Sequence, residues 1–89
     1  MKIKKGFTLR TVMNQKIVMA EGNNADSFGK MISLNSSAAM LWEELVGKTF
    51  EVEDAADLLV EKYGIDRALA VQDATDIINL MTEKGLIEK

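Results

Sequence analysis

Residues 30–45 read KMISLNSSAAMLWEEL, and their hydrophobic period changes at a single residue, Asn35. Before it, Met31 and Ser33 alternate with Ile32 and Leu34, the period of a short strand with one pair turned to a core. After it, Ala38, Leu41, Trp42 and Leu45 recur at spacings of three and four, which is a helix face. Asn35 is an N-cap candidate, because its side-chain oxygen can accept a bond from an otherwise unpaired amide in the first turn, with Ser36 and Ser37 following. A strand that runs into a helix through one capping residue leaves little freedom in how the two are joined.

The rest of the chain arranges itself around that junction. Upstream, two segments rich in β formers, Phe7 to Met13 and Lys16 to Glu21, are separated by Asn14-Gln15, so a hairpin with its turn at that pair is expected. The segment Gly22 to Gly29 is a loop by its turn formers, with Phe28 as its anchor to the core. Downstream, Gly47 closes the first helix. A second helix begins near Val52, carries Ala55, Ala56, Leu59 and Tyr63 on one side and stops at Gly64. Asp66 caps a third helix, Arg67 to Lys84, which Gly85 ends before a short extended tail at Leu86-Ile87. A three-stranded antiparallel sheet followed by three α-helices is an α+β fold, a winged helix-turn-helix variant whose wing precedes its helices.

With 89 residues, the chain forms one domain, 1–89, too small for a core plus a deep enclosed active site. It has no cysteine, histidine or proline, which removes disulfides, thiolate nucleophiles, zinc sites built on Cys or His, and imidazole acid–base chemistry. No convergent set of other catalytic residue types is visible, so no enzyme, metal or cofactor is expected. The net charge of −3 and pI near 4.9 give duplex DNA net repulsion outside any local patch. No apolar run reaches signal-peptide or bilayer-spanning length, and a cytoplasmic protein without a membrane partner is expected.

The third helix has two distinguishable faces. Ala70, Val71, Ala74, Ile77, Ile78 and Met81 form the expected core stripe at 100° per residue. Leu69 and Leu80 fall on a flank shared with Asp73 and Asp76. Either the two leucines widen the core contact beside solvated aspartates, or this edge is the wall of a groove that receives a partner. Elsewhere, structural roles suffice. Trp42 sits at a core spacing, Tyr63 packs with its hydroxyl at the surface, and Met31 is an adaptable contact. Glu51, Glu53, Asp54 and Asp57 complement the dipole at the start of the second helix, without EF-hand spacing. Lys2, Lys4 and Lys5 read as a frayed, solvated tail.

The runs LNSSAAMLWEEL, EVEDAADLLVEKYGID and VQDATDIINLMTEKGLIE together resemble the coenzyme PQQ synthesis protein D family, the PqqD-like proteins or RiPP recognition elements. The resemblance extends from about Phe7 to Glu88. It rests on the Leu-Asn helix start, a Trp seven residues after that Asn, the Tyr-Gly helix stop, an Asp on the third helix and the terminal Gly-Leu-Ile. It implies a module that binds the leader segment of a ribosomally made precursor peptide and presents it to a modifying enzyme, often a radical S-adenosylmethionine enzyme. The leader would add as a strand to the third strand, its side chains entering the cleft between that strand and the third helix. Asn35 would then hold the docking edge in fixed geometry against the helical body.

Carried onto this chain, the implied edge is Lys30, Met31, Ile32, Ser33 and Leu34, and the helix candidates are Leu69, Asp73, Asp76, Ile77 and Leu80. Two departures stand out. Helix residues that grip leaders in this family are frequently basic, whereas this helix has Arg67 and Lys84 only at its ends; aspartates lining the cleft call for a leader with a Lys or Arg near its docking segment. Ala38 stands where many relatives have Gly, and as the better helix former it costs nothing. Besides a leader-binding adaptor, a winged-helix DNA-binding domain and a regulatory domain that has lost leader binding fit the architecture, the former opposed by the acidic balance. Two copies can pair through exposed strand edges, although nothing in the sequence demands a homodimer.

Overall fold

The computed structural model describes residues 1–20 and 31–88. The element order is β1 (Lys2–Ile3), β2 (Phe7–Val12), β3 (Gln15–Ala20), β4 (Met31–Leu34), α1 (Ser36–Leu45), α2 (Val52–Tyr63), α3 (Arg67–Glu83) and β5 (Ile87–Glu88). Strands β2, β3 and β4 form an antiparallel sheet in that order, and the three helices follow it, so the α+β architecture expected from the sequence is the one observed. The expected loop 22–29 with its Phe28 anchor, together with Glu21 and Lys30, lies outside the described residues.

The hairpin turn sits one residue earlier than Asn14-Gln15. Val12 pairs with Gln15, which leaves Met13 and Asn14 as the two turn residues. Both have positive φ, 51° and 68°, the handedness that matches the twist of flanking strands in a two-residue connection. Asn tolerates that conformation, whereas Met13 accepts backbone strain with its side chain in solvent.

Strand register determines which side chains share a face. Leu9, Val18 and Ile32 stand in one cross-strand row on the inner face, and Leu34 follows Ile32 on the same side. Val18, Ile32 and Leu34 join a single core with Leu41, Trp42 and Leu45 of α1, Ala55, Ala56 and Leu59 of α2, and Ala70, Ala74, Ile78 and Met81 of α3. Small residues at Ala55, Ala56, Ala70 and Ala74 are fully buried and let α2 and α3 lie close together. Two expected core positions are more peripheral: Tyr63 and Val71 are exposed, at the end of α2 and the margin of the α3 stripe.

The basic N-terminal segment is not a frayed tail. Lys2 and Ile3 form β1, which pairs with β5 in the register Lys2↔Glu88 and Ile3↔Ile87. Ile3 is buried, while the Lys2, Lys4 and Lys5 side chains remain in solvent. Single-residue alternation over two positions is too short to be read as a strand; its signal lies in the partner at the far end of the chain. The second sheet ties the segment after α3 back to the core through Leu86 and Ile87.

Helix ends follow local chemistry. The Asn35 Oδ1 accepts from the Ala38 amide at 2.8 Å. At α2, the Glu51 amide donates to the Asp54 carboxylate at 2.8 Å, and Gly64 closes the helix with φ 65° and its amide bonded to the Val60 carbonyl. Asp66 precedes α3 with extended backbone but makes no side-chain capping bond.

Candidate peptide-binding edge

Among the described residues β4 is an edge strand. It pairs with β3 from Met31↔Met19 to Leu34↔Lys16 and has no second strand partner among the described residues. No described residue pairs with its outer backbone N–H and C=O groups, the groups through which a chain adds to a sheet. Four residues span about 13 Å at a strand rise of roughly 3.3 Å, long enough for a short peptide to add in register. Beyond the C-terminal end of β4 a shallow depression is lined by Asn14, Gln15, Lys16, Ser33, Leu34, Asn35 and Ser36.

The strand candidates divide by face. Ile32 and Leu34 are 8% and 6% exposed and belong to the core, so they can present only their backbone to a ligand. Met31 and Ser33 point to the opposite, outer face, where Met31 is 59% exposed. Lys30 lies outside the described residues.

On α3 the five candidates occupy one arc. Asp76, Leu69, Leu80, Asp73 and Ile77 follow one another around about 100° of the helix, immediately beside the buried arc of Ala70, Met81, Ala74 and Ile78. Ile77 is half-buried and packs against the core, marking the border between the two arcs. Leu69 and Leu80 are 47% and 42% exposed, so they do not widen the core contact. Asp76 is exposed and Asp73 half-buried, and neither forms an ion pair among the described residues. Arg67, the basic residue at the head of the helix, is engaged by Asp57 of α2. The face therefore presents two exposed leucines between two carboxylates that have no ion-pair partner among the described residues.

β4 packs on β3 and α1, whereas α3 packs on α2 and β5. Both are held by the same core, and the Asn35 cap fixes the strand end to α1. One feature escaped single-strand periodicity. Pairing places Met19 beside Met31 and Ile17 beside Ser33 on the outer face, a relation carried by register and not by any one segment. The furrow between α1 and α2, lined by Met40, Glu44, Leu58, Glu61 and Lys62, has no nucleophile–base pair. Among the described residues no cluster of three or more Asp or Glu is placed to hold a metal ion, and no helix is long and apolar enough to cross a membrane.

Comparison with known proteins adds a family and a fold. The family described as Coenzyme PQQ synthesis protein D (PqqD) matches residues 15–87. No curated protein matches the chain. Among solved structures, TbiB1 in complex with the TbiA(beta) leader peptide is 19% identical, with a TM-score of 0.75 over 99% of this chain and 95% of its own. A lasso peptide synthetase B1 complexed with the leader peptide is 17% identical, with a TM-score of 0.73 over 99% and 96%. At such identities these likenesses concern the fold.

Proposed function

Because the chain belongs to the coenzyme PQQ synthesis protein D family, we propose that it is a non-enzymatic adaptor that binds the leader segment of a ribosomally synthesised precursor peptide by strand addition. The observation that carries this reading is the edge of β4, unpartnered among the described residues and joined to α1 through the Asn35 cap, on a domain whose α3 exposes Leu69 and Leu80. The two solved relatives of the same fold were both determined with leader peptides.

In this reading the leader pairs with the backbone of residues 31–34, and its inward side chains meet Leu69, Asp73, Asp76, Ile77 and Leu80. Backbone pairing supplies affinity that tolerates sequence change, and the α3 face supplies selection. Two aspartates without an ion-pair partner among the described residues favour a leader with Lys or Arg among its inward residues, since charge complementarity speeds encounter and rejects acidic competitors. The bound leader is presented to a peptide-modifying enzyme, with a radical S-adenosylmethionine enzyme as the first candidate, in the cytoplasm. Nucleic-acid binding is disfavoured by α3 itself, whose only basic residue within the helix, Arg67, is paired with Asp57.

The test is an isotope-labelled NMR titration with synthetic leader segments of any short peptides encoded beside the gene for this chain. Shifts concentrated at residues 31–34 and along α3 support strand addition at this edge. Absence of shifts with every such segment, together with a response to duplex DNA, would replace the reading with a winged-helix DNA-binding domain.

A further inference from the structure

Two cross-strand rows cover the outer face of the three-stranded sheet: Thr8, Met19 and Met31 in one, and Arg10, Ile17 and Ser33 in the next. The helices cannot account for the apolar members, because Val18, Ile32 and Leu34 direct the opposite face to the helical core. Met19 and Ile17 are nevertheless half-buried beside the exposed Met31, so the rows form an apolar stripe that ends at the open edge of β4.

A strand added to that edge lies about 4.8 Å away and sends successive side chains to opposite faces. Every second residue of the peptide therefore continues one of these outer rows, next in line to Met31 or to Ser33. We propose that the outer face is the second half of the recognition surface, so that the peptide is read on both sides: a basic or apolar residue inward, and its chain neighbour, an apolar residue, outward against Met31 and in line with Met19. This inference rests on strand addition at β4 and specifies the class of peptide that adds there.

The chemistry of the outward position follows from its neighbours. Met31 is unbranched and adapts its shape, so aliphatic and aromatic residues of different outline are accepted beside it. A charged outward residue would lose water against the Met19–Met31 row with no partner among the described residues of the two rows, since these contain no acidic residue and their one cation, Arg10, stands beside Ile17 on β2, three strands from the added chain. Beside Ser33 the outward position suits a Thr or Ser, which can hydrogen-bond across the pair.

The experiment measures fluorescence anisotropy with labelled synthetic leader segments of any short peptides encoded beside the gene, using the whole chain and its M31E, M31L and D73K variants. Met31 is outside the core, so its substitution leaves the fold intact. The expected result is at least about a tenfold loss of affinity for M31E, a change within about twofold for M31L, and a loss for D73K. A glutamate scan of the peptide should then show losses at successive positions through the docking segment, because both faces are read. Affinity of M31E within about twofold of the parent, with D73K weakened and losses confined to alternate peptide positions, would overturn the two-sided reading and leave strand addition standing. Failure of every segment to bind the unaltered chain would overturn both.

Discussion

The Asn35 Oδ1 lies 2.8 Å from the Ala38 amide that donates to it, one residue after Leu34 delivers its side chain to the core. A strand end and a helix start are thereby fixed within four residues. Leu34 and Ala38 are both buried, so the hydrogen bond is held between two packed anchors. That arrangement explains why the sequence can change period so abruptly: the cap satisfies an amide that would otherwise face the interior of the junction without a partner.

Replacement of Asn35 by alanine removes the acceptor and is expected to cost about 1 kcal/mol of stability, while Asn35→Asp, which keeps the acceptor and adds charge favourable to the helix start, should retain most of it. Urea unfolding checks this through a lowered midpoint at unchanged slope. An unchanged midpoint for Asn35→Ala would mean that the cap contributes nothing net.

Gly64 tests a backbone effect in isolation. Its φ is 65°, and a Cβ built there meets no atom within 4 Å, so Gly64→Ala adds conformational strain without a clash. A loss of about 1 kcal/mol is expected, with Gly64→Asn costing less because Asn enters the left-handed region more readily. Equal losses for the two variants in denaturant unfolding would contradict this.

Ile3 distinguishes a structural N-terminal strand from a solvated tail. Its buried side chain lies opposite Ile87 in the β1–β5 pair, and Ile3→Ala should destabilise the domain by about 2–5 kcal/mol. Lys2→Ala, by contrast, removes only an exposed pairing with Glu88 and should change stability by less than about 0.5 kcal/mol. A small effect of Ile3→Ala in the same unfolding assay would return the segment to the role of a tail.

The contrast between Asn35 and Ile3 also shows what the sequence makes legible. The period change, the cap and the helix stop at Gly64 are local, set by residues within a few positions of each other, and they are observed where the spacing puts them. The β1–β5 pair joins residues 84 or more positions apart, and no window of the chain contains both partners. The turn at Met13-Asn14 was displaced by one residue because strand register, and not turn composition, decides which two residues lie between paired positions. For the site, periodicity separated the Leu69–Leu80 flank from the core arc correctly, but left open whether those leucines were covered; that depended on how α3 lies against α2. Val71 erred the other way, since a stripe read at 100° per residue has no knowledge of where the neighbouring helix ends.

Charge reversal on α3 should separate encounter from docking. Asp73→Lys and Asp76→Lys alter exposed or half-buried groups without ion-pair partners among the described residues, so folding stability should change by less than about 1 kcal/mol. Binding of a leader containing Lys or Arg is expected to weaken about 5- to 30-fold for the double variant, chiefly through slower association, and the salt dependence seen with the unaltered chain should flatten. Stopped-flow association at two ionic strengths checks both statements; unchanged rates would remove the aspartates from the peptide site.

Leu69 and Leu80 provide the sharpest separation between a structural and a recognition role. Nearly half of each side chain is in solvent, so truncation to alanine leaves no enclosed cavity and should cost the isolated domain less than about 1 kcal/mol apiece. If a bound leader covers them, the same truncation removes apolar area that is lost from water only in the complex. At roughly 25 cal/mol per Å², a leucine side chain half covered on binding contributes about 1–1.5 kcal/mol, or about 5- to 12-fold in affinity. The double variant should therefore fold almost as stably as the parent while binding leader segments at least about 20-fold more weakly, measured by calorimetry and urea unfolding on the same preparation. Equal losses in both measurements would instead assign the two leucines to packing within the domain, and retained affinity would move the docking surface away from α3.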